Sequence, residues 1–503
     1  MNAIQLLYVE NIISRKNRQT QQRLSFFLLI DNLGYNKQID VLWQNEQGAW
    51  HTLPAAYHSR LKSGREYWLA TAHFSLGSEQ SLPGNIEFAL RYKTSEQLFW
   101  DNNQGQNYTS QADSGIRVTA DRPILQIGLN PKLTVQQHYL PITVAIDSSL
   151  KATKVTIHWT DDNWRTTRKT ACYFKRNYWD KEFLSNARNP NHYRVGIWKG
   201  WLKVNQVFHL QYSICCEHPN GAIWDNNGGE NYQLSRDPLK IMILNLHCYQ
   251  EDHQDFKFSQ IAKAVNDHAV DIVCFQEVAE PWNDGLGDFA TNSAKIINDR
   301  LKQPFFLYSD WSHLGFGQYR EGVAILSRYP LLKQSSRYVS ESHDVYNIHA
   351  RKVVMAQIQV PHIGLINIYS AHLSWWEDGF AEQFNSLRQW AADEQTAQVK
   401  ASLLCGDFNI AAGSKGYRLV VDGHDYEDQF LAVNSHGVFE KIFRVNDPYW
   451  QQYLTDDYRI DYIFLHKKSK LQATSGQVLF TEQDYGRVSD HCGYLMTFEP
   501  RTD

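Results

Sequence analysis

One nine-residue string occurs twice in the first half of this chain, and it constrains the fold more than any other feature. Trp100-Asp101-Asn102-Asn103-Gln104-Gly105-Gln106-Asn107-Tyr108 returns as Trp224-Asp225-Asn226-Asn227-Gly228-Gly229-Glu230-Asn231-Tyr232, with seven of nine positions identical. Leu42-Trp43, with Trp50 beyond it, corresponds in the same way to His158-Trp159 and Trp164. A repeat of this period means that one structural unit is built twice. The copies run over about residues 1–113 and 121–235, and Asp121-Arg122-Pro123 is a turn signal at the joint. Runs such as 24–30, 38–43, 86–92, 154–159 and 207–212 alternate or are rich in strand-forming residues. Each copy is therefore expected to be an all-β sandwich of about a hundred residues.

The second half reads differently. Apolar runs at 240–246, 269–275, 322–327, 353–358, 365–370, 402–405 and 462–465 are separated by polar loops and helical stretches. In one of those stretches Ile261, Ala262 and Val265 share a face. Strands buried on both sides with helices between them predict layered α/β packing. The three segments are placed at 1–118, 119–236 and 237–503.

Six segments of this second half carry chemistry at the ends of buried runs. They are Ile243-Leu244-Asn245, Phe275-Gln276-Glu277, Ser370-Ala371-His372, Gly406-Asp407-Phe408-Asn409, Ile460-Asp461-Tyr462 and Ser489-Asp490-His491. A carboxylate, amide or imidazole is costly to hold beside a buried strand unless it has partners or work to do. Strand ends feeding loops are where rigid scaffolds place catalytic groups. Other histidines, among them His313, His343, His349 and His424, fall in polar stretches and are expected at the surface.

Composition narrows the partners. A net charge of −4 offers no excess of cations to neutralise a nucleic-acid backbone, which argues against DNA or RNA as the substrate. The seven cysteines are odd in number and lack metal-type spacing, so free buried thiols in a reducing compartment are expected. No signal pattern opens the sequence and no apolar run reaches membrane-spanning length, so a cytoplasmic protein with no membrane partner is expected.

The duplicated segments resemble starch- and glycogen-binding modules, in which a Trp-Asp-Asn-Asn…Asn-Tyr string closes the domain. That resemblance implies affinity for α-glucan. It assigns the contacts to Trp43 or Trp50 with Asn103 and Asn107 in the first copy, and to Trp159 or Trp164 with Asn227 and Asn231 in the second. Indole faces suit apolar sugar faces, and amides offer donor and acceptor to hydroxyls.

Residues 238–499, through the six segments in their order, resemble the endonuclease/exonuclease/phosphatase superfamily. The implied architecture is a DNase I-like four-layer α/β sandwich behind two β-sandwich modules. The implied roles are a metal site for Mg2+ or Mn2+ at Glu277, completed by Asn245 and Asp490, with His491 as general base and Asp461 as its orienting partner. Asp407 and Asn409 position water and a phosphate oxygen. His372 stabilises the phosphoryl group or acts as an acid, and Arg351 clamps the phosphate. Trp375 and Trp376 are candidates for stacking on a sugar, and no phosphoenzyme is expected. Fusion to starch-type modules makes a phosphorylated disaccharide the expected substrate, maltose 6'-phosphate before others. A phosphodiesterase or nuclease of the same superfamily, or a catalytically silent glucan-binding protein, are the alternatives.

Overall fold

The computed structural model of the chain describes residues 3–16, 19–77, 81–119, 122–177, 192–423, 425–434 and 459–502; His424 lies outside them. Two compact units divide at Asp237/Pro238. Among the described residues no helix is long and apolar enough to cross a membrane.

The first unit holds the two β-modules. In the first module, strands Ile4–Lys16, Gln19–Ile30 and Glu66–Ser75 form one antiparallel sheet, edged by Gly115–Val118 and Ala56–Arg60. Trp50–Pro54, Lys37–Gln44, Ile86–Thr94 and Leu98–Asp101 form the facing sheet. The second module winds a longer sheet in the order Ile124–Ile127, Tyr139–Asp147, Val195–Lys203, Arg168–Asn177, Lys154–Thr160, His209–His218, Gly221–Asp225. The continuous apolar run 24–30 now has a physical reason. Alternate residues Leu24, Phe26, Leu28 and Ile30 fill the module's own core, while Phe27 and Leu29 enter a second core. That second core is shared: Tyr8, Phe27, Leu29 and Tyr67 of the first module pack with Leu125, Ile127, Ala145, Val195 and Ile197 of the second.

The second unit is built from two six-stranded sheets stacked face to face. One runs Phe306–Gly315, Tyr319–Ser327, Ile272–Pro281, Leu239–Asn245, Gly493–Pro500, Leu471–Leu479. The other runs Leu331–Tyr338, Lys352–Val360, Gly364–His372, Val399–Asp407, Asp461–His466, Tyr426–Asp428. Ile241, Ile243, Cys274, Ala356, Ile368, Leu403 and Cys405 meet between the sheets. The intervening residues Met242, Leu244, Val273 and Phe275 face outward under helix Gln254–Asp267, which presents Phe258, Ile261 and Val265 to them. Tyr369 and Leu404 do the same under helix Phe380–Asp393. This is the four-layer sandwich, and it explains why these strands read as unbroken apolar runs: both faces are covered. All seven cysteines are free thiols, six of them buried.

Candidate active site

Strand register assembles the site. Each sheet contains one parallel pair at its centre, Leu239–Asn245 with Ile272–Pro281 and Gly364–His372 with Val399–Asp407, and both pairs end in polar residues. Asn245 is level with Gln276. Across the other sheet His372, Asp407 and Asp461 stand level on three adjacent strands. Gln276 is the staple between the sheets: its amide donates to Ser370 Oγ at 3.1 Å, and that hydroxyl donates to the Phe275 carbonyl at 3.1 Å.

A bulge turns Glu277 into the site. Phe275 pairs with Ala324 but Val278 pairs with Gly322, so one extra residue is accommodated and Glu277 takes φ 48°. Bulges of this kind re-aim a side chain beside an active site. Asn409, at φ 51°, is strained in the same left-handed sense. Gly406 needs no side chain for a different reason: at φ 133°, a Cβ there would overlap the Ala371 carbonyl oxygen and stand 2.8 Å from the Gln276 amide nitrogen. Gly406→Ala is expected to cost about 3 kcal/mol or more and to lower the melting temperature accordingly; an unchanged melting curve would show that the two sheets are not held this closely.

The side chains interlock. Asn245 Nδ2 donates to Glu277 Oε1 at 2.8 Å and to Asp407 Oδ2 at 3.1 Å, while its Oδ1 accepts from the His247 backbone N–H at 3.0 Å. Those contacts fix the orientation of the amide. His491 Nδ1 lies 2.8 Å from Asp461 Oδ2, and its Nε2 lies 3.8 Å from Asp407 Oδ2 and 4.0 Å from Asp490 Oδ1. The backbone N–H of Asn409 donates to Asp407 Oδ1 at 2.8 Å.

Electrostatics makes the cluster a candidate cation site. Burial, then the charges of Glu321 and Asp490, push Glu277 up to about 8. Burial, then Asp461, push Asp407 up to about 7. Carboxylates crowded and buried in this way gain most from a divalent cation. Glu277, His372 and Asp407 bring ligand atoms within 4.8 Å of one another, as do Asp407, Asp461 and His491. His247, Glu251 and Asp490 form a third such group, and carboxylate oxygens suit a hard cation.

His372 sits differently from its neighbours. Arg351 Nη1 lies 3.2 Å from its Nδ1, and Asn409 Nδ2 lies 3.2 Å from its Nε2 while donating to the Leu373 carbonyl at 2.8 Å. Both groups are donors, so the ring must stay neutral to accept from either. Burial, followed by the Arg351 charge, holds its pKa well below the ordinary value. That environment favours the neutral ring. Arg351 is anchored behind the ring by Ser374 Oγ at 3.4 Å and lies among the carboxylates of Glu321, Glu277 and Asp407.

Two site residues carry no assignment from sequence. His247 Nδ1 donates at 2.8 Å to Glu251 and lies 3.5 Å from Asp490; burial lowers its pKa, but Glu251, Asp490 and Glu277 outweigh it and raise it to about 9. Glu321 is buried with His313 Nε2 3.3 Å away. His313, expected at the surface, is thus a buried strand residue, whereas His343 is exposed and His349 half-buried. The signal for Glu321 was present: it precedes the apolar run 322–327 as a lone carboxylate at a strand edge. Trp376 lies under the Lys415 ammonium at 4.7 Å and against Phe380, and Trp375 is half-buried beside it.

In the first unit the nine-residue string closes on itself. Asn103 Nδ2 donates to the Asn107 carbonyl at 3.0 Å, and Asn227 Nδ2 to that of Asn231 at 3.0 Å. Tyr108 donates to Asp101, and Tyr232 to Asp225. The Asn107 amide donates to Glu87 at 2.6 Å. The alternatives for each module also separate. Trp43 and Trp159 are buried core residues, so they have no free face for a sugar; Trp50 is 49% exposed, and Trp164 is half-buried with its Nε1 donating to Gln211 at 2.8 Å. Asn227 is buried and accepts from the Tyr67 hydroxyl of the first module, while Asn231 remains half-buried.

The sequence model of the Endonuclease/Exonuclease/phosphatase family matches residues 244–491. That of the carbohydrate/starch-binding module, family 21, matches twice, at residues 4–111 and 130–235. A DNA-(apurinic or apyrimidinic site) endonuclease of Arabidopsis thaliana is 23% identical over 224 residues, 39% of this chain and 57% of that protein, so the chain spans little more than half of that relative's length. An endonuclease/exonuclease/phosphatase family protein from Leptotrichia buccalis is 24% identical with a TM-score of 0.45, covering 52% of this chain and 99% of its own. A mannosyl-6-phosphatase from Bacteroides thetaiotaomicron is 15% identical with a TM-score of 0.38, over 52% and 99% of the two chains.

Proposed function

We propose that this chain, whose second half belongs to the Endonuclease/Exonuclease/phosphatase family and whose first half holds two family 21 carbohydrate/starch-binding modules, is a metal-dependent phosphatase acting on a phosphorylated α-glucoside. Maltose 6'-phosphate is the first candidate, giving maltose and inorganic phosphate. The observation that carries the reading is the His491–Asp461 pair beside a carboxylate cluster, on one chain with two starch-type modules. A cytoplasmic site of action belongs to the same reading.

Glu277 and Asp490 would hold Mg2+ or Mn2+, which when bound supplies positive charge to the phosphoryl oxygens, while Asn245, whose Nδ2 is turned to Glu277 and Asp407, supports the site by orienting those carboxylates rather than as a ligand. His491 takes a proton from the attacking water at Nε2, and Asp461 holds Nδ1 and favours the resulting imidazolium. Asp407 and Asn409 align the water. His372, kept neutral, and Arg351 behind it favour the charge that spreads over the phosphoryl oxygens. The new P–O bond forms from water and the P–O bond to the sugar breaks; the sugar oxygen takes a proton from solvent, and the proton held at His491 Nε2 returns to solvent.

The test is phosphate release with Mg2+ from maltose 6'-phosphate, trehalose 6-phosphate, glucose 6-phosphate and a bis-ester. Because the Arabidopsis relative is named for DNA, a duplex with an apurinic site joins the set. Selective release from maltose 6'-phosphate is the expected result. Cleavage of the bis-ester or the duplex with the sugar phosphates left intact would replace this reading with a phosphodiesterase or nuclease.

A further inference from the structure

The outward face of the second module's sheet carries a row of aromatic rings that no role above uses. Tyr139 lies on strand Tyr139–Asp147, Trp201 on Val195–Lys203 and Tyr173 on Arg168–Asn177. Trp201 stands opposite Pro141, and Tyr139 opposite Lys203, so Tyr139 is one diagonal step from Trp201. Tyr173 stands opposite Lys199, one diagonal step to the other side. No bulge interrupts these pairings, so the three rings share one face on a straight diagonal with steps of about 8 Å. They are 55%, 50% and 51% exposed, while the alternate residues Leu140, Leu202 and Cys172 enter the core. Farther along the same two strands and face, Ala145 and Ile197 are buried against the first module, so the row begins where that cover ends.

The pattern fits a sugar chain rather than a protein. Lys199 and Lys203 flank Trp201 on the same face, so apolar rings alternate with hydrogen-bonding groups instead of merging into one apolar patch. A glucan alternates in the same way between apolar ring faces and hydroxyl edges. The first module offers an internal control: beyond Phe27 its corresponding face carries Ser25 and Arg23 opposite Thr71 and His73, with no row of rings. The second module's Asn loop is partly closed, because Asn227 is buried under Tyr67.

We propose that Tyr139, Trp201 and Tyr173 form the α-glucan site of the second module. A chain of a few pyranose units lies obliquely across the strands, its apolar faces on the rings and its hydroxyls toward Lys199 and Lys203. The assignment rests on the glucan reading of the modules but not on the phosphatase chemistry. The full-length chain is tested by affinity electrophoresis in gels containing glycogen and by titration with maltoheptaose. Trp201→Ala is expected to weaken retention about tenfold or more, Tyr139→Ala and Tyr173→Ala each less, and Trp201→Phe is expected to restore most of it. Melting temperature and turnover of the small phosphoester are expected to stay at wild-type values in all four. If the wild type is retained and Trp201→Ala is retained equally, the row is not the site, although the glucan reading stands. If the wild type itself is not retained, the glucan reading fails and the site with it. A dimer of the wild type in sedimentation that Trp201→Ala dissolves would make the row a self-association face and overturn the proposal.

Discussion

Replacing His491 by Ala is expected to lower kcat by about a hundred- to ten-thousand-fold, with circular dichroism and melting unchanged. The argument is geometric first. His491 Nδ1 is taken by a carboxylate, at 2.8 Å from Asp461, while its Nε2 lies 3.8 Å from Asp407 in the cluster. Burial lowers its pKa, but Asp461, Asp490 and Asp407 together outweigh burial and raise it well above the ordinary histidine value. A base must be deprotonated to act, so kcat/KM is expected to rise with pH through the range above 6.5. Asp461→Asn removes the carboxylate that raises this pKa most. The rising limb should therefore move to lower pH while the plateau falls, because the amide no longer favours the imidazolium. Bound Mg2+ shifts both proteins in the same direction. A His491→Ala enzyme with normal turnover, or an Asp461→Asn profile that does not move, would remove His491 from the base role.

Removing divalent metal is expected to abolish turnover and to change how stability depends on pH. Glu277 and Asp407 titrate near 8 and 7 in the folded chain, against ordinary values of 4.5 and 3.8. Both are raised, so between roughly pH 4 and pH 8 the folded state holds protons that the unfolded state has released. Linkage then requires that metal-free stability fall as pH rises through this window, and that the loss be absent below the ordinary values. A cation that binds the ionised carboxylates offsets the loss. The melting temperature of chelated protein should drop between pH 5 and pH 8, and Mg2+ should raise it more at pH 8 than at pH 5. Equal stabilisation by Mg2+ at both pH values would mean that the ion does not bind at Glu277.

The residues legible in the sequence were those for which burial and polarity conflict locally. Asn245, Glu277, Asp407 and Asp461 each interrupt or close an apolar run, and a single sequence displays that conflict. Glu321 produces the same conflict but was cut off from its strand by Gly322, which the backbone of Asp310 approaches too closely for any side chain. His313 sits beside Ser312 and Leu314, so nothing nearby reported its burial; only the pairing of its strand with Tyr319–Ser327 does. The choice between Trp43 and Trp50, or Trp159 and Trp164, turned on which residue faces inward, and that depends on the register with neighbouring strands. Tyr139, Tyr173 and Trp201 lie far apart along the chain and become one surface only after three strands have paired. Sequence reports local conflict well and alignment across a sheet hardly at all.

The level placement of His372, Asp407 and Asp461 has a consequence for how such an enzyme can change. Their separations are those of the hydrogen-bond ladder itself, so the spacing of the reacting groups is copied from the backbone as from a ruler. An insertion inside any of the three strands would slide the ruler and flip the side chains beyond it to the opposite face. An insertion in the loops that leave those strands would alter only what the groups are offered. What the site can do is therefore locked to the sheet, and what it can receive is left to the loops.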